Sequence, residues 1–256
     1  MIEQENEINL SKIDRQRVIL NLLSDKGSIT LNELEDELSC SRITIQRDLV
    51  ELEKKGMLSR VHGGATSKDF DLAIHNHKNR LFIQTDKKKK IAKKAINLIT
   101  SNTCIFLDAS STVFFMSEHI FPEKVQIVTT GFDTFLALQN NAGINPILTG
   151  GRINPENRTL VGPEAILTIK QFFFKAVFIS ADSVIEDLGI YSSDAYAAEI
   201  SRLAVSRAEQ VHLLFDTSKV RNRQGVKVCD IEKVTKVITN DPQNMYLSRL
   251  FKGKVL

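Results

Sequence analysis

Arg42, Ile43, Gln46, Arg47 and Val50 recur at the three- and four-residue spacing of one helix face, set apart from a stripe of Ile45, Leu49 and Leu52. Arginine and glutamine so placed can pair bidentately with guanine and adenine edges in a major groove. Ser41 stands just ahead as an N-cap, with Thr44 in the first turn, and a helix N-terminus offers N–H groups to phosphates. Arg60, His62 and Gly63 follow on a Gly-Gly hairpin that would lie beside a nucleic-acid backbone. The competing reading is a helical hairpin packed on its own domain, with a solvated charged face.

Presenting those side chains takes a particular set of elements. Thr30 with Glu33 makes a capping box at the start of a short helix that buries Leu31, Leu34 and Leu38. A second helix runs from Ser41 to about residue 55 and stops at Gly56. Residues 57–61 and the stretch after His62-Gly63-Gly64 predict the two strands of a wing, with Ser28-Ile29 pairing alongside. Ahead of them, Ser11 caps a helix that Gly27 ends, with Ile13, Val18, Ile19, Leu22 and Leu23 facing inward. The order predicts a winged helix-turn-helix over residues 11–66 that binds double-stranded DNA. Residues 67–85 read as a linker, and residues 86–256 as a larger mostly parallel α/β domain.

In that larger part, apolar runs at residues 104–107, 125–129, 145–148, 176–179, 211–215 and 234–238 predict strands. Helices fit residues 86–99, 112–120, 131–140, 163–171, 194–208 and 243–251, and the alternation predicts a mostly parallel sheet. Ile91, Ala95, Leu98 and Ile99 would face inward, and the lysine run at residues 87–90 would be a solvated first turn. Ligands of such sheets collect beyond the carboxyl ends of the strands. Asp108-Ala109-Ser110-Ser111-Thr112 there fits a phosphate cradle and equally fits ordinary N-capping. Thr129-Thr130 and Gly150-Gly151-Arg152 follow the next two strands; Arg152 offers a cation, or the glycines make a plain turn. Asp216-Thr217-Ser218-Lys219 offers another.

Composition excludes several classes. The 256 residues are 42% hydrophobic and 25% charged, as in an ordinary soluble globular protein, and no run is long and apolar enough to span a membrane. Cys40, Cys104 and Cys229 form neither a metal spacing nor a paired framework and fit a reducing cytoplasm. His75 and His77 lack a third ligand nearby in sequence, so neither metal nor cofactor is expected. The net charge of +3 divides into −3 over residues 1–66, +6 over residues 67–100 and zero beyond. The DNA-binding part is therefore not basic in bulk, although residues 40–66 carry +2, enough for a local contact.

The stretch S-R-I-T-I-Q-R-D-L, followed by L-E-K-K-G-M-L-S-R-V-H-G-G-A, resembles the signature of the DeoR-type family of bacterial transcriptional regulators. Gln46 stands where that family usually has Arg, which would move base preference toward adenine. The later loops resemble the family's effector domain, similar in fold to ribose-5-phosphate isomerase, whose members sense phosphorylated sugars and generally oligomerise as dimers or tetramers. The resemblance implies that Asp108, Ser110, Ser111 and Thr112 meet a phosphorylated sugar. Thr129, Thr130, Gly150, Gly151, Gly162 and Lys219 would complete the pocket. Ser110 replaces a usual Gly, and Thr130 a usual Asn. Asp182 and Glu199 fall where the isomerase has its acidic residues, but its glycine-rich lysine loop is absent between them. They are expected to serve the ligand rather than catalysis. The expectation is a repressor of a sugar operon, with an isomerase bearing a winged-helix appendage as the alternative.

Overall fold

The computed structural model describes residues 10–61, 63–66, 80–81, 83–119, 121–139, 141, 143–186, 188–217 and 225–256. The chain divides into two compact units, Met1–Gln84 and Thr85–Leu256.

In the first unit, α1 (Lys12–Lys26) starts where the Ser11 hydroxyl accepts the Asp14 N–H, and ends at Gly27 with φ of 75°. Then come β1 (Ser28–Thr30), α2 (Leu31–Leu38), α3 (Arg42–Lys54), β2 (Ser59–Val61) and β3 (Gly64–Thr66). The capping box forms in both directions: Thr30 Oγ1 accepts the Glu33 N–H, and Glu33 Oε2 accepts the Thr30 N–H. β3 lies between β1 and β2, antiparallel to both, so Ser28-Ile29 does pair with the wing. Leu23, Leu34, Leu38, Ile45, Leu49 and Leu52 meet in one core. Ile13 departs from expectation and is 58% exposed. The inward stripe runs through Gln16, Ile19, Leu20 and Leu23, and so begins only in the second turn.

The second unit opens with α4 (Thr85–Ile96), and Ile91, Ala92 and Ala95 are fully buried. The lysine run is not wholly solvated: Lys88 is buried in the helix's inner face. Six strands then form one all-parallel sheet: β4 (Cys104–Leu107), β5 (Val125–Thr129), β6 (Ile144–Leu148), β9 (Phe174–Ser180), β12 (Ala208–Phe215) and β14 (Lys236–Thr239). Their spatial order is β14-β12-β9-β4-β5-β6. β4 and β9, inside the sheet, carry runs of four apolar residues, while Gln126, Asn145, His212 and Lys236 interrupt the others. The helices between them are α5 (Ser111–Phe114), α6 (Phe132–Leu138), α7 (Pro163–Lys170) and α8 (Ala195–Ser206), with α9 (Met245–Phe251) near the C-terminus. The helix expected over residues 112–120 is only one α-turn, α5, continued by a 3-10 turn at Phe115–Glu118.

Two small sheets lie outside the sequence reading. One pairs β7 (Arg152–Ile153) with β8 (Leu160–Val161); the other joins β10 (Ser183–Ile185), β11 (Gly189–Ser192) and β13 (Val226–Cys229).

His212, on β12, is 1% exposed and lies 5.0 Å from the Phe178 ring, with Nε2 at 3.2 Å from Gln210 Oε1. Burial, aided by Lys236, pushes its pKa down to about 4. An unfolded histidine titrates near ~6.5, so His212 favours folding fully above that pH. This contribution is lost as pH falls from there towards about 4. At ~1.4 kcal/mol per unit, wild type should lose roughly 2 kcal/mol between about pH 7 and about pH 5 that His212→Gln does not. Urea titrations of both proteins at the two pH values measure the difference; parallel losses would refute it.

Candidate nucleic-acid interface and ligand crevice

The N-terminal unit sorts its polar residues by what they are already doing. Ser41 Oγ accepts the Thr44 N–H and lies 3.0 Å from Thr44 Oγ1, so both hydroxyls are engaged in starting α3. Arg42 reaches back to α2, 3.3 Å from Asn32 Oδ1 and 3.5 Å from Glu35 Oε2. Gln46 and Arg47 are exposed and make no hydrogen bond or ion pair among the described residues. They share a concavity with Ile43, Val50, Lys54 and Arg60. Glu51 on its rim is bound by Lys12 at 2.5 Å and Lys55 at 2.9 Å, and these bonds hold its carboxyl down to about 2. The rim acid is thus matched by two cations, which leaves Arg47 and Lys54 as charges of the face without an ion pair among the described residues.

The hairpin is built by close backbone approach. A side chain on Gly64 would place its Cβ 2.2 Å from the Ile29 carbonyl, so only glycine lets β3 lie against β1. Gly63, at φ of 82°, offers its carbonyl to the Leu31 N–H at 2.8 Å, tying the wing's turn to the start of α2. The Arg60 N–H donates to Glu53 Oε1, and its guanidinium is 4.0 Å from Glu53 Oε2, a loose pairing that leaves it exposed. His62 lies outside the described residues.

Sequence reasoning missed Asp48. It sits among the polar residues of α3 yet is 2% exposed, accepting from Arg15 Nε at 2.8 Å and lying 3.5 Å from Gln16 Nε2. Its spacing, three residues after Ile45 and four before Leu52, places it in the core stripe and was the available signal.

In the second unit the chain leaves β4 for β5 and β6 on one side, then crosses back to β9 on the other. The switch point, where α/β sheets open a crevice, therefore lies between the carboxyl ends of β4 and β9. Asp108 spans it. Its carboxylate accepts the Ser110 N–H at 2.8 Å and the Ser180 N–H at 2.7 Å, and its own N–H donates to Phe178. Ser110 realises the capping alternative, its hydroxyl accepting the Val113 N–H at 3.3 Å. Ser111 and Thr112 are buried, and Thr129 Oγ1 accepts the Gly131 N–H. Thr130 is buried, its carbonyl taking the Leu160 N–H at 2.8 Å.

Four buried hydroxyls at the carboxyl ends of β4, β5, β6 and β9 have no hydrogen-bond partner among the described residues: Thr112, Thr134, Thr149 and Ser180. Unpaired buried hydroxyls are costly, and several at one sheet edge mark a place suited to a polyhydroxylated or anionic guest. Of these, only Thr112 was among the expected residues. The others end strands or begin helices, where a threonine or serine looks ordinary.

The remaining expected residues divide. Gly151, at φ of 113°, has the Val161 carbonyl 2.5 Å from where a Cβ would sit, so it serves the β7–β8 pairing. Gly150 and Arg152 are exposed, and Arg152 has no ion pair among the described residues. Gly162 caps α7 at φ of 105°. Asp182 Oδ2 accepts both the N–H and the hydroxyl of Ser193 at 2.9 Å, while Glu199 is exposed on α8; no interaction joins the two. Lys219 lies outside the described residues, as do His75 and His77. Among the described residues no group of three or more His, Cys, Asp or Glu is placed to hold a metal. No helix there is long and apolar enough to cross a membrane.

The segment between β7 and β8 reaches across this edge. The Phe132 N–H donates to Arg158, whose guanidinium pairs with Asp133 at 2.6 Å and lies over the Phe132 ring. Asn154 and Asn157 donate to Asp194 at the start of α8.

A winged helix-turn-helix followed by a parallel α/β domain with buried hydroxyls along the carboxyl edge of its sheet fits a DNA-binding regulator with a sensor domain. Residues 15–70 match the DeoR-like helix-turn-helix domain, and residues 83–241 match the DeoR C terminal sensor domain. This chain belongs to the DeoR family and is a transcriptional regulator. It is 30% identical to the HTH-type transcriptional regulator GolR of Listeria innocua, over 93% of this chain and 94% of that one. It is 31% identical to the lactose phosphotransferase system repressor of Staphylococcus epidermidis, over 91% and 93% respectively. Such relatives are named as regulators, and the isomerase alternative is not favoured. Among solved structures, ribose 5-phosphate isomerase A from Methanocaldococcus jannaschii is similar over 53% of this chain and 54% of that one, at 18% identity and a TM-score of 0.39. That likeness is partial and distant.

Proposed function

We propose that this chain represses a sugar-metabolism operon in the cytoplasm, and that a phosphorylated sugar bound at the carboxyl edge of the second unit's sheet controls it. Residues 11–66 bind the operator, residues 67–85 link, and residues 86–256 sense. The observation that carries the sensing half is the set of buried hydroxyls without a partner among the described residues, at the carboxyl ends of β9, β4, β5 and β6. Thr112, Thr149 and Ser180, with Ser111, Thr129 and Thr130, offer hydroxyls to the guest. Arg152 and Lys219 supply the cations. Asp108 is itself an anion and meets sugar hydroxyls rather than the phosphate. The names of the relatives, a lactose phosphotransferase system repressor among them, support a sugar-derived signal. The protein works as a dimer or tetramer, since paired half-sites suit a symmetric oligomer.

A thermal-shift panel tests this on the full chain. One phosphorylated sugar should raise the melting transition in proportion to the logarithm of its concentration, while its unphosphorylated parent does not. The same compound should change affinity for DNA upstream of the chain's own gene, because control requires unequal affinity for the arrangements of the protein. A panel without any such response would refute the sensing role.

A further inference from the structure

The DNA-facing surface carries an apolar residue that its polar neighbours do not explain. Ile43 is 63% exposed in the first turn of α3 and takes no part in the core of its unit. It heads the row Ile43, Gln46, Arg47, Val50, spaced to share one helix face. Those residues, with Lys54 and Arg60, line a concavity of about 490 Å³. The first-turn residues of a recognition helix are the ones that reach base edges.

A major groove offers an exposed isoleucine one apolar feature, the C5-methyl group of thymine. Gln46, one turn further along the same face, has the amide geometry for adenine, whose pairing partner is thymine. Arg47 and Lys54 give the surroundings the charge to hold the surface against phosphates. A surface positive at its rim and apolar at Ile43 fits a groove containing an A·T pair.

We propose that Ile43 is a specificity-determining residue, packing against the C5-methyl of one thymine in the half-site that Gln46 and Arg47 read. This rests on the DNA-binding reading of α3 and adds to it a base and an atom.

The experiment removes the methyl from the DNA. The region upstream of the chain's own gene is trimmed by footprinting to the protected duplex. Each thymine is then replaced in turn by deoxyuridine, which lacks the methyl but keeps both hydrogen-bonding edges. At one thymine per half-site, replacement should weaken wild-type binding about four-fold, the worth of one buried methyl-sized group. Ile43→Ala should weaken binding to the thymine duplex by a similar factor and be insensitive to deoxyuridine there. Ile43→Val should keep part of the sensitivity. Since Ile43 is exposed, both variants should melt as wild type does, separating this from a folding defect. Equal deoxyuridine sensitivity in wild type and Ile43→Ala, or none at any thymine, overturns the inference while leaving DNA binding intact. That is also the outcome if Ile43 docks a protein instead. Failure to protect any site overturns the DNA-binding reading, and the inference with it.

Discussion

Asp48→Ala is expected to destabilise the N-terminal unit by about 3–5 kcal/mol, because it leaves the Arg15 guanidinium buried and unpaired. The Arg15 side chain is only 14% exposed, and its Nε lies 2.8 Å from Asp48 Oδ2. Its remaining hydrogen bond among the described residues is from one terminal nitrogen to the Leu10 carbonyl at 2.9 Å. Gln16 completes the network, reaching Asp48 with its amide nitrogen and accepting from Lys55 with its oxygen. Small domains have on the order of 5–15 kcal/mol in total, and one this size lies near the lower limit. Hydrogen-exchange protection across α1, α2 and α3 should therefore collapse, with DNA binding lost alongside it, while the second unit keeps its protection. Replacing both partners, Arg15→Met with Asp48→Leu, should recover much of the protection, since exchanging a buried pair for apolar side chains is often neutral. Full protection in Asp48→Ala would show that the pair does not hold the domain.

That pair marks a limit of reading a helix face from its residue types. Arg47 and Asp48 are adjacent, and both look like surface charge on α3. The helix turns about 100° per residue, so one points outward and the other lies beside Ile45 and Leu49 in the core. The helix ends were legible because each has local chemistry at fixed offsets: Ser11, the Thr30 and Glu33 box, Ser41 and Gly27. Among the six strands of the large sheet, β4 and β9 were the most legible, because burial on both faces leaves four apolar residues in a row, whereas Gln126, Asn145, His212 and Lys236 interrupt the others. Strand ends shifted by one to three residues, as at β14, which begins at Lys236 rather than residue 234, and β12, which begins at Ala208 rather than residue 211.

What stayed illegible was short or depended on distant partners. β7 and β8 have two residues each and β10 three, too few to show alternation. The partner of β11, β13, is more than 30 residues away in sequence, so no hairpin signal links them. In the crevice, the loop after β4 was recognisable from its three hydroxyls. Ser180, Thr149 and Thr134 belong to it only through strand order. Ser180 joins that loop only because β9 lies beside β4, and Thr134 and Thr149 follow β5 and β6 on its other side, a fact about topology that residue spacing does not contain.

At the other end of the molecule, Arg47→Ala should weaken binding to the cognate duplex by about 10–100-fold, the usual cost of one bidentate base contact. Binding to a scrambled duplex should barely change if Arg47 reads a base. A uniform loss on both duplexes, with a salt dependence shallower by about one counterion, would instead assign it to phosphate. The protein should fold normally, because Arg47 has no partner among the described residues to leave stranded. This separates it from Asp48→Ala, which abolishes the same binding by unfolding the helix that carries it. Gln46→Arg is the complementary change. Glutamine's amide matches adenine N6 and N7, whereas a guanidinium matches guanine O6 and N7. The variant should lose affinity for the natural half-site and regain it when one A·T pair is exchanged for G·C. The position of that pair would fix the register of α3 along the groove, and the methyl-bearing thymine facing Ile43 should then lie within the same few base pairs. If no single exchange restores Gln46→Arg, then Gln46 does not read a base, and the exposed face of α3 contacts only the backbone.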